Sequence, residues 1–438
     1  MTPDAPGPRP VNPDAPGSRR QGPGAASLLR RHRDFRLLWV GETVSRFGTA
    51  TASVALPLIA ISMLEATTFH VGLLTAAAWA PWLLIGLPAG AWVDRRHRRP
   101  ILLATSAASF LLTAAVPVAA WAGILTVHLL LTAALLAGGA AVLFQTAYTA
   151  YLPTLLDPAD HAEGNAKLHG SASAAQLAGL GCGGLAVQFA GPSNALLIDA
   201  TTFLVALACL GAIRFRERRT TLVRRAGAIR EGIALVAKDV WLRTLTLFGA
   251  VSNLALMGYQ AIVVVFLVRE AGLAAGTVGA LIAAATSGGI VGAFAGRRLA
   301  ARLGSARALL LCELGLPTLA LLIPLSGVSP WFYLVGAFGV SLGVVGGNVV
   351  KATFQQSYCP PELLGRLTAT ASFVNYGTIP LGALLGGTLG ELLGLGTALW
   401  ITTAGVPLAG LILLCSPMRR HRDLPTQAPA DSSLVRMA

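Results

Sequence analysis

Residues 71–122 read VGLLTAAAWAPWLLIGLPAGAWVDRRHRRPILLATSAASFLLTAAVPVAAWA. Two apolar runs, 71–93 and 100–122, flank a short loop that carries Asp94, Arg95, Arg96, His97, Arg98 and Arg99. Each run reaches the ~20 residues an α-helix needs to cross the hydrocarbon core of a bilayer. Neither alternates polar with apolar residues as a barrel strand does. The stretch therefore reads as a pair of membrane-spanning helices joined by a basic turn.

Working outward, the same reading recurs along the chain. Twelve helix-length apolar segments fall at 37–64, 71–93, 100–122, 125–150, 163–189, 193–213, 242–268, 275–298, 306–327, 331–356, 366–391 and 394–416. Composition agrees: 54% of the 438 residues are hydrophobic and 12% charged, against about a quarter charged in soluble domains. These grounds argue against an ordinary soluble enzyme and exclude a disordered chain. The five cysteines stand singly with no CxxC pair, so no zinc site or disulfide framework is indicated. The net charge of +14 would suit nucleic acid, but its placement between apolar spans points to a membrane surface instead.

That placement also tests the span count. Arg95 to Arg99, Arg214 to Arg230, Arg297 to Arg307, and Arg419 to Arg422 all fall in even-numbered loops or after the last span, whereas the odd-numbered loops hold only Arg269. Basic residues favour the cytoplasmic side, so both chain ends are expected in the cytoplasm. The expected organisation is a disordered tail (1–33), a six-helix bundle (34–213), a basic linker (214–241), a second six-helix bundle (242–416) and a tail (417–438). The bundles repeat weakly. Gly90 and Gly296, Pro153 and Pro360, and the pairs Gly183-Gly184 and Gly386-Gly387 recur at an offset near 205. Duplicated halves with a substrate site between them are one architecture of alternating-access carriers.

The loop Gly90-Ala-Trp-Val-Asp94-Arg95-Arg96-His97-Arg98-Arg99 resembles the signature loop of the major facilitator superfamily, with His97 in place of a glycine. The resemblance implies a conformational latch of Gly90, Asp94, Arg95, Arg98 and Arg99, with Asp94 meeting the start of span eleven near Arg366. Span five carries Gly170, Gly179, Gly183 and Gly184. This is similar to a glycine motif of the superfamily's proton-coupled exporters, with Leu180 at the usual proline position. The glycines Gly288, Gly292 and Gly296, and Gly382, Gly386 and Gly390, read as packing faces. Further stretches, among them PPELLGRLTATASFVNYGTIPLGALLGG at 360–387, resemble the branch containing macrolide-efflux and enterobactin-exporter relatives. The resemblance implies an all-α membrane fold of twelve helices in two pseudo-symmetric bundles. It also implies secondary active export of a small organic molecule (a drug, antibiotic, siderophore or other metabolite) in exchange for protons. A monomer in the plasma membrane is expected.

Charges inside a bilayer are costly and mark functional hypotheses. Asp199 is the preferred candidate for proton coupling. Glu313 is a second, and Glu42 with Arg46 forms an i,i+4 pair that either gates the mouth or neutralises itself. Candidate cavity residues are Gln145, Gln176, Asn253, Gln260, Asn348, Lys351, Asn375 and Tyr376; each could equally bond a neighbouring helix. No HExxH motif or phosphate loop is present, so no cofactor, metal or enzymatic activity is expected. An uptake or facilitative permease, or a non-transporting receptor or enzyme, are the alternatives.

Overall fold

The computed structural model describes residues 28–215 and 233–426, apart from Leu235. Most of the expected tails and of the basic linker therefore lie outside the described residues. Twelve long helices account for the rest, in the order read from the sequence. They are α1 (Arg33–Ser62), α2 (Thr68–Asp94), α3 (Arg98–Trp121), α4 (Val127–Leu155), α5 (His161–Ala190) and α6 (Pro192–Ala212), then α7 (Val240–Arg269), α8 (Ala275–Leu303), α9 (Ser305–Gly327), α10 (Pro330–Tyr358), α11 (Pro361–Leu393) and α12 (Leu395–Leu414). No strand occurs among the described residues. Ten of the twelve are long and apolar enough to cross a membrane, and α5 and α11 fall short. Their Gly, Ser, Thr, Asn and Gln content lowers their hydropathy, as suits helices that face another helix or water rather than lipid.

Two spans depart from uniform helix. α8 breaks at Ser287, between Ala275–Thr286 and Gly288–Leu303. α9 begins as an α-helix, passes through a π-helical turn at Leu311–Gly315, and continues in 3₁₀ geometry through Leu316–Gly327. Pro317 and Pro324 each remove an amide donor from that last segment. Residues 28–33, expected to belong to a disordered tail, are ordered instead. Leu28–Arg31 forms a helical turn with Leu28 fully buried. Arg31 pairs with Asp160 at 2.6 Å, and Glu163 accepts from the Leu28 amide.

The buried side chains sort into three groups, and their distribution gives the shape of the molecule. One large core joins both halves. It includes Val54, Leu58 and Val71 from the first half and Ile262, Val278 and Ala383 from the second, on the side away from the chain ends. On the side that carries the basic loops the core splits. One cluster is built from the first half alone, around Leu38, Val93, Leu102 and Tyr151. The other is built from the second half alone, around Phe248, Leu309, Phe354 and Leu367. Shared apolar burial holds the halves together at the far side, and among the described residues no shared core closes the basic side. The molecule is a two-bundle carrier with a central cleft open toward its basic loops.

Candidate functional site

Small residues seal the far end of that cleft, twice over. At the α5–α8 contact a β-carbon on Gly184 would lie 2.6 Å from the Ala275 carbonyl oxygen and 2.8 Å from Gly279 Cα. At the α2–α11 contact a β-carbon on Gly72 would lie 2.6 Å from the Ala383 oxygen and 2.8 Å from Gly387 Cα. Any side chain there would force the halves apart, since cores resist added volume. Beside each contact an amide or acid caps the facing helix. Gln188 Oε1 accepts from the Gly276 amide at 3.1 Å, and Glu391 Oε2 accepts from the Phe69 amide at 3.4 Å. Arg269 adds a third tie, donating to the Ala66 carbonyl at 2.9 Å. The two contacts are related by the internal repeat, because Gly184 and Gly387 occupy corresponding places in α5 and α11, as do Gly279 and Gly72 in α8 and α2.

The span-five glycines divide between two roles. Gly179 and Gly183 approach α1 at Phe47, Ala50 and Thr51, within the first half; Gly184 faces the second half; Gly170 meets nothing. The equivalent glycines of α11, Gly382 and Gly386, pack on Leu254 and Gly258 of α7, while Gly390 faces Thr68 of α2. Gly390 is thus an inter-half contact rather than part of a packing face within one bundle. Gly288, Gly292 and Gly296 pack on α10, as read from sequence.

The residues expected to form a latch lie where α2 meets α3. Gly90 falls in the last turns of α2, Arg95 caps that helix, and Arg98 opens α3 and is buried. Arg99 donates to the carbonyls of Leu210 and Gly211, at 3.3 and 2.8 Å, so it closes the C-terminus of α6 within its own bundle. The expected meeting of Asp94 with Arg366 lies outside the described side chains.

The charged candidates occupy three separate places. Glu42 and Arg46 pair at 2.6 Å on α1, and Arg46 reaches Gln145 of α4 at 3.1 Å. This is the expected i,i+4 pair, extended to a second helix. Asp199 is 4% exposed, about 10 Å into α6 from the far side. It faces Gly48 of α1, where a β-carbon would lie 2.7 Å from Oδ1. That oxygen has no hydrogen-bond partner among the described residues. The neighbouring Thr202 hydroxyl donates to the Asp199 backbone oxygen. Glu313 and Lys351, separate candidates in the sequence, form one unit across α9 and α10. Their charged atoms lie 2.7 Å apart, outside hydrogen-bond alignment. The π-helical turn carries Glu313 against Gly347, and the Lys351 ammonium lies 5.1 Å from the Phe248 ring centre.

The polar candidates divide as well. Gln176, Gln260, Asn348 and Tyr376 are exposed. Asn253 donates to the Asn375 carbonyl at 3.5 Å and so joins α7 to α11 inside the second half. Sequence reasoning missed Trp79 and Trp82, which sit with Tyr376 between the halves; in an apolar run they read as span filler. It also missed the seal residues Gln188, Glu391 and Arg269. The glycine pairs at matched offsets were the available signal for the seal.

Comparison with known proteins agrees with this geometry. A family model described as transmembrane secretion effector, one of the major facilitator models, matches residues 25–436. The multidrug efflux pump Tap of Mycolicibacterium fortuitum is 25% identical over 395 residues, 86% of this chain and 94% of that protein. The enterobactin exporter EntS of Escherichia coli O1:K1 / APEC is 26% identical over 425 residues, 93% of this chain and 98% of that protein. Among solved structures, a bacterial homologue of the iron transporter ferroportin in its inward-facing state aligns with a TM-score of 0.72 at 16% identity, covering 89% of this chain and 99% of that one. The same homologue in an outward-facing state aligns at 0.58, with 16% identity and coverage of 89% and 100%.

Proposed function

The chain belongs to the transmembrane secretion effector family of the major facilitator superfamily, and from that premise we propose that it exports a small organic molecule from the cytoplasm in exchange for protons. The bias of basic residues supports a cytoplasmic open side of the cleft, with both chain ends there. The substrate enters from that side, the basic ends of the bundles close, and the far-side seal parts. The loaded cavity then faces outward, which is the alternating-access cycle of duplicated carriers. The relatives named as efflux pump and exporter favour export over uptake.

The observation that carries the proton step is Asp199. A buried carboxyl with an unpartnered oxygen, packed on a glycine of α1, is stable when it holds a proton and costly when it does not. Release of that proton places an uncompensated charge in the α1–α6 contact, a difference large enough to bias a two-state movement of α1. Glu42 and Glu313 both have cationic partners at ion-pair distance, so their charge is already compensated.

The test is flux in proteoliposomes. A pH gradient imposed across the membrane should drive a transported dye against its own gradient, and Asp199→Asn should abolish that accumulation by tenfold or more. The variant should still catalyse dye exchange at equal pH, because its cavity is intact. Gradient-driven accumulation by Asp199→Asn at the wild-type rate would remove Asp199 from the mechanism. Wild-type flux indifferent to both pH and voltage gradients would remove the antiport.

A further inference from the structure

Rings from both halves meet at mid-depth, just on the basic side of the far seal. On α2, Gly72 and Thr75 share a helical stripe with Trp79 and Trp82, since seven residues complete two turns. On α11, Tyr376 lies seven residues before Ala383, which packs at the seal. The ring centres of Trp82 and Tyr376 are 5.1 Å apart, those of Trp79 and Tyr376 6.1 Å, and those of Trp79 and Trp82 6.3 Å. The planes are inclined at 56°, 38° and 31°. Tyr376 is 39% exposed, and both tryptophans are half-buried.

We propose that Trp79, Trp82 and Tyr376 form an aromatic subsite that receives a planar ring of the transported molecule. This rests on the export reading above and adds the substrate's chemistry to it. Where the halves only need to touch, they do so through glycine, about two to three turns further along the same stripes. Three large rings at the head of the open cleft are a different provision. Inclined and partly uncovered, they offer faces from both halves to a flat guest, which gains from offset or edge-to-face stacking. Recognition here runs through ring faces rather than charge, because Arg46 is matched by Glu42 and Lys351 by Glu313. The subsite also couples binding to movement. Tyr376 belongs to one half and the tryptophans to the other, so a guest held by all three is held in one arrangement of the halves and not equally in the other.

The test uses purified full-length protein in nanodiscs. Three probes are titrated: ethidium (a planar cation), umbelliferone (a neutral planar coumarin) and tetrabutylammonium (no ring). Tyr376→Leu and Trp82→Leu should weaken binding of both planar probes about 2- to 10-fold and leave tetrabutylammonium unchanged. Tyr376→Phe, which keeps the ring, should bind as wild type does. Should the leucine variants misfold, Trp82→Phe serves instead. It should reduce tryptophan-sensitised emission from bound umbelliferone more than Trp331→Phe does. The proposal is overturned if wild type binds neither planar probe, if the leucine variants bind them unchanged, if all three probes weaken alike, or if Trp82→Phe and Trp331→Phe reduce the emission equally. Planar probes that bind through these rings but are never moved across a membrane would overturn the export reading and leave the subsite standing.

Discussion

Glu313 and Lys351 show how far single residues carry the argument. Each was readable as an intramembrane charge, and therefore as a functional candidate. Their meeting was not, because it depends on the π-helical turn at Leu311–Gly315, which turns Glu313 toward α10. Nothing in the local letters LCELG announces that turn. The same holds for Asp199, whose position in the span was legible while its orphaned oxygen and its glycine neighbour on α1 were not. The ion pair makes a sharp prediction. Removing one member of a buried pair leaves a bare charge and costs about 3–5 kcal/mol, whereas replacing both with apolar or neutral groups is close to neutral. Glu313→Gln and Lys351→Met should each lower the midpoint of thermal unfolding in detergent, and the double variant should regain most of the loss. Additive losses in the double variant would show that the two side chains act independently.

At the scale of the element, the number and order of the helices were legible because hydropathy over ~20 residues is set by the bilayer rather than by tertiary context. The charge bias then guarded the count. What hydropathy does not encode is which helix touches which. α2 and α11, and α5 and α8, meet across the halves through glycines whose role is visible only once their partners are known. The repeated glycine pairs mark the duplication, and the second glycine of each, Gly184 and Gly387, has a physical task at the far-side seal. Adding bulk there should therefore act on the equilibrium between states, not only on stability. Gly184→Val and Gly387→Val should each penalise the state closed at the far side by about 1–3 kcal/mol, a shift of roughly 5- to 150-fold toward the state open on that side. The readout is labelling of a single cysteine introduced at Thr75, in a background lacking the five native cysteines, by an impermeant maleimide added from the far side. Labelling should quicken in both variants. An unchanged rate would mean that these contacts do not hold the seal.

For the molecule as a whole, one asymmetry organises the account. Apolar burial is continuous across the halves on the far side and divided between them on the basic side. A transporter that rocks must exchange these two arrangements, so every contact described at the seal is one that breaks in each cycle. Among the described residues those contacts include two glycine crossings, the Gly390–Thr68 approach, two helix caps and one arginine–carbonyl bond, all set beside the shared apolar core. The sequence could state that two halves exist, from the offset near 205, but not which of the two arrangements is the resting one; that is a small free-energy difference spread over many contacts. The direct measurement is a pair of distances by electron–electron resonance in nanodiscs, with spin labels at His70 and Leu392 across the seal and at Thr149 and Thr353 across the open cleft. Adding a transported substrate or changing pH should shift population so that the first distance lengthens as the second shortens. Distances that stay fixed, or that lengthen and shorten together, would contradict alternating access between two rigid halves.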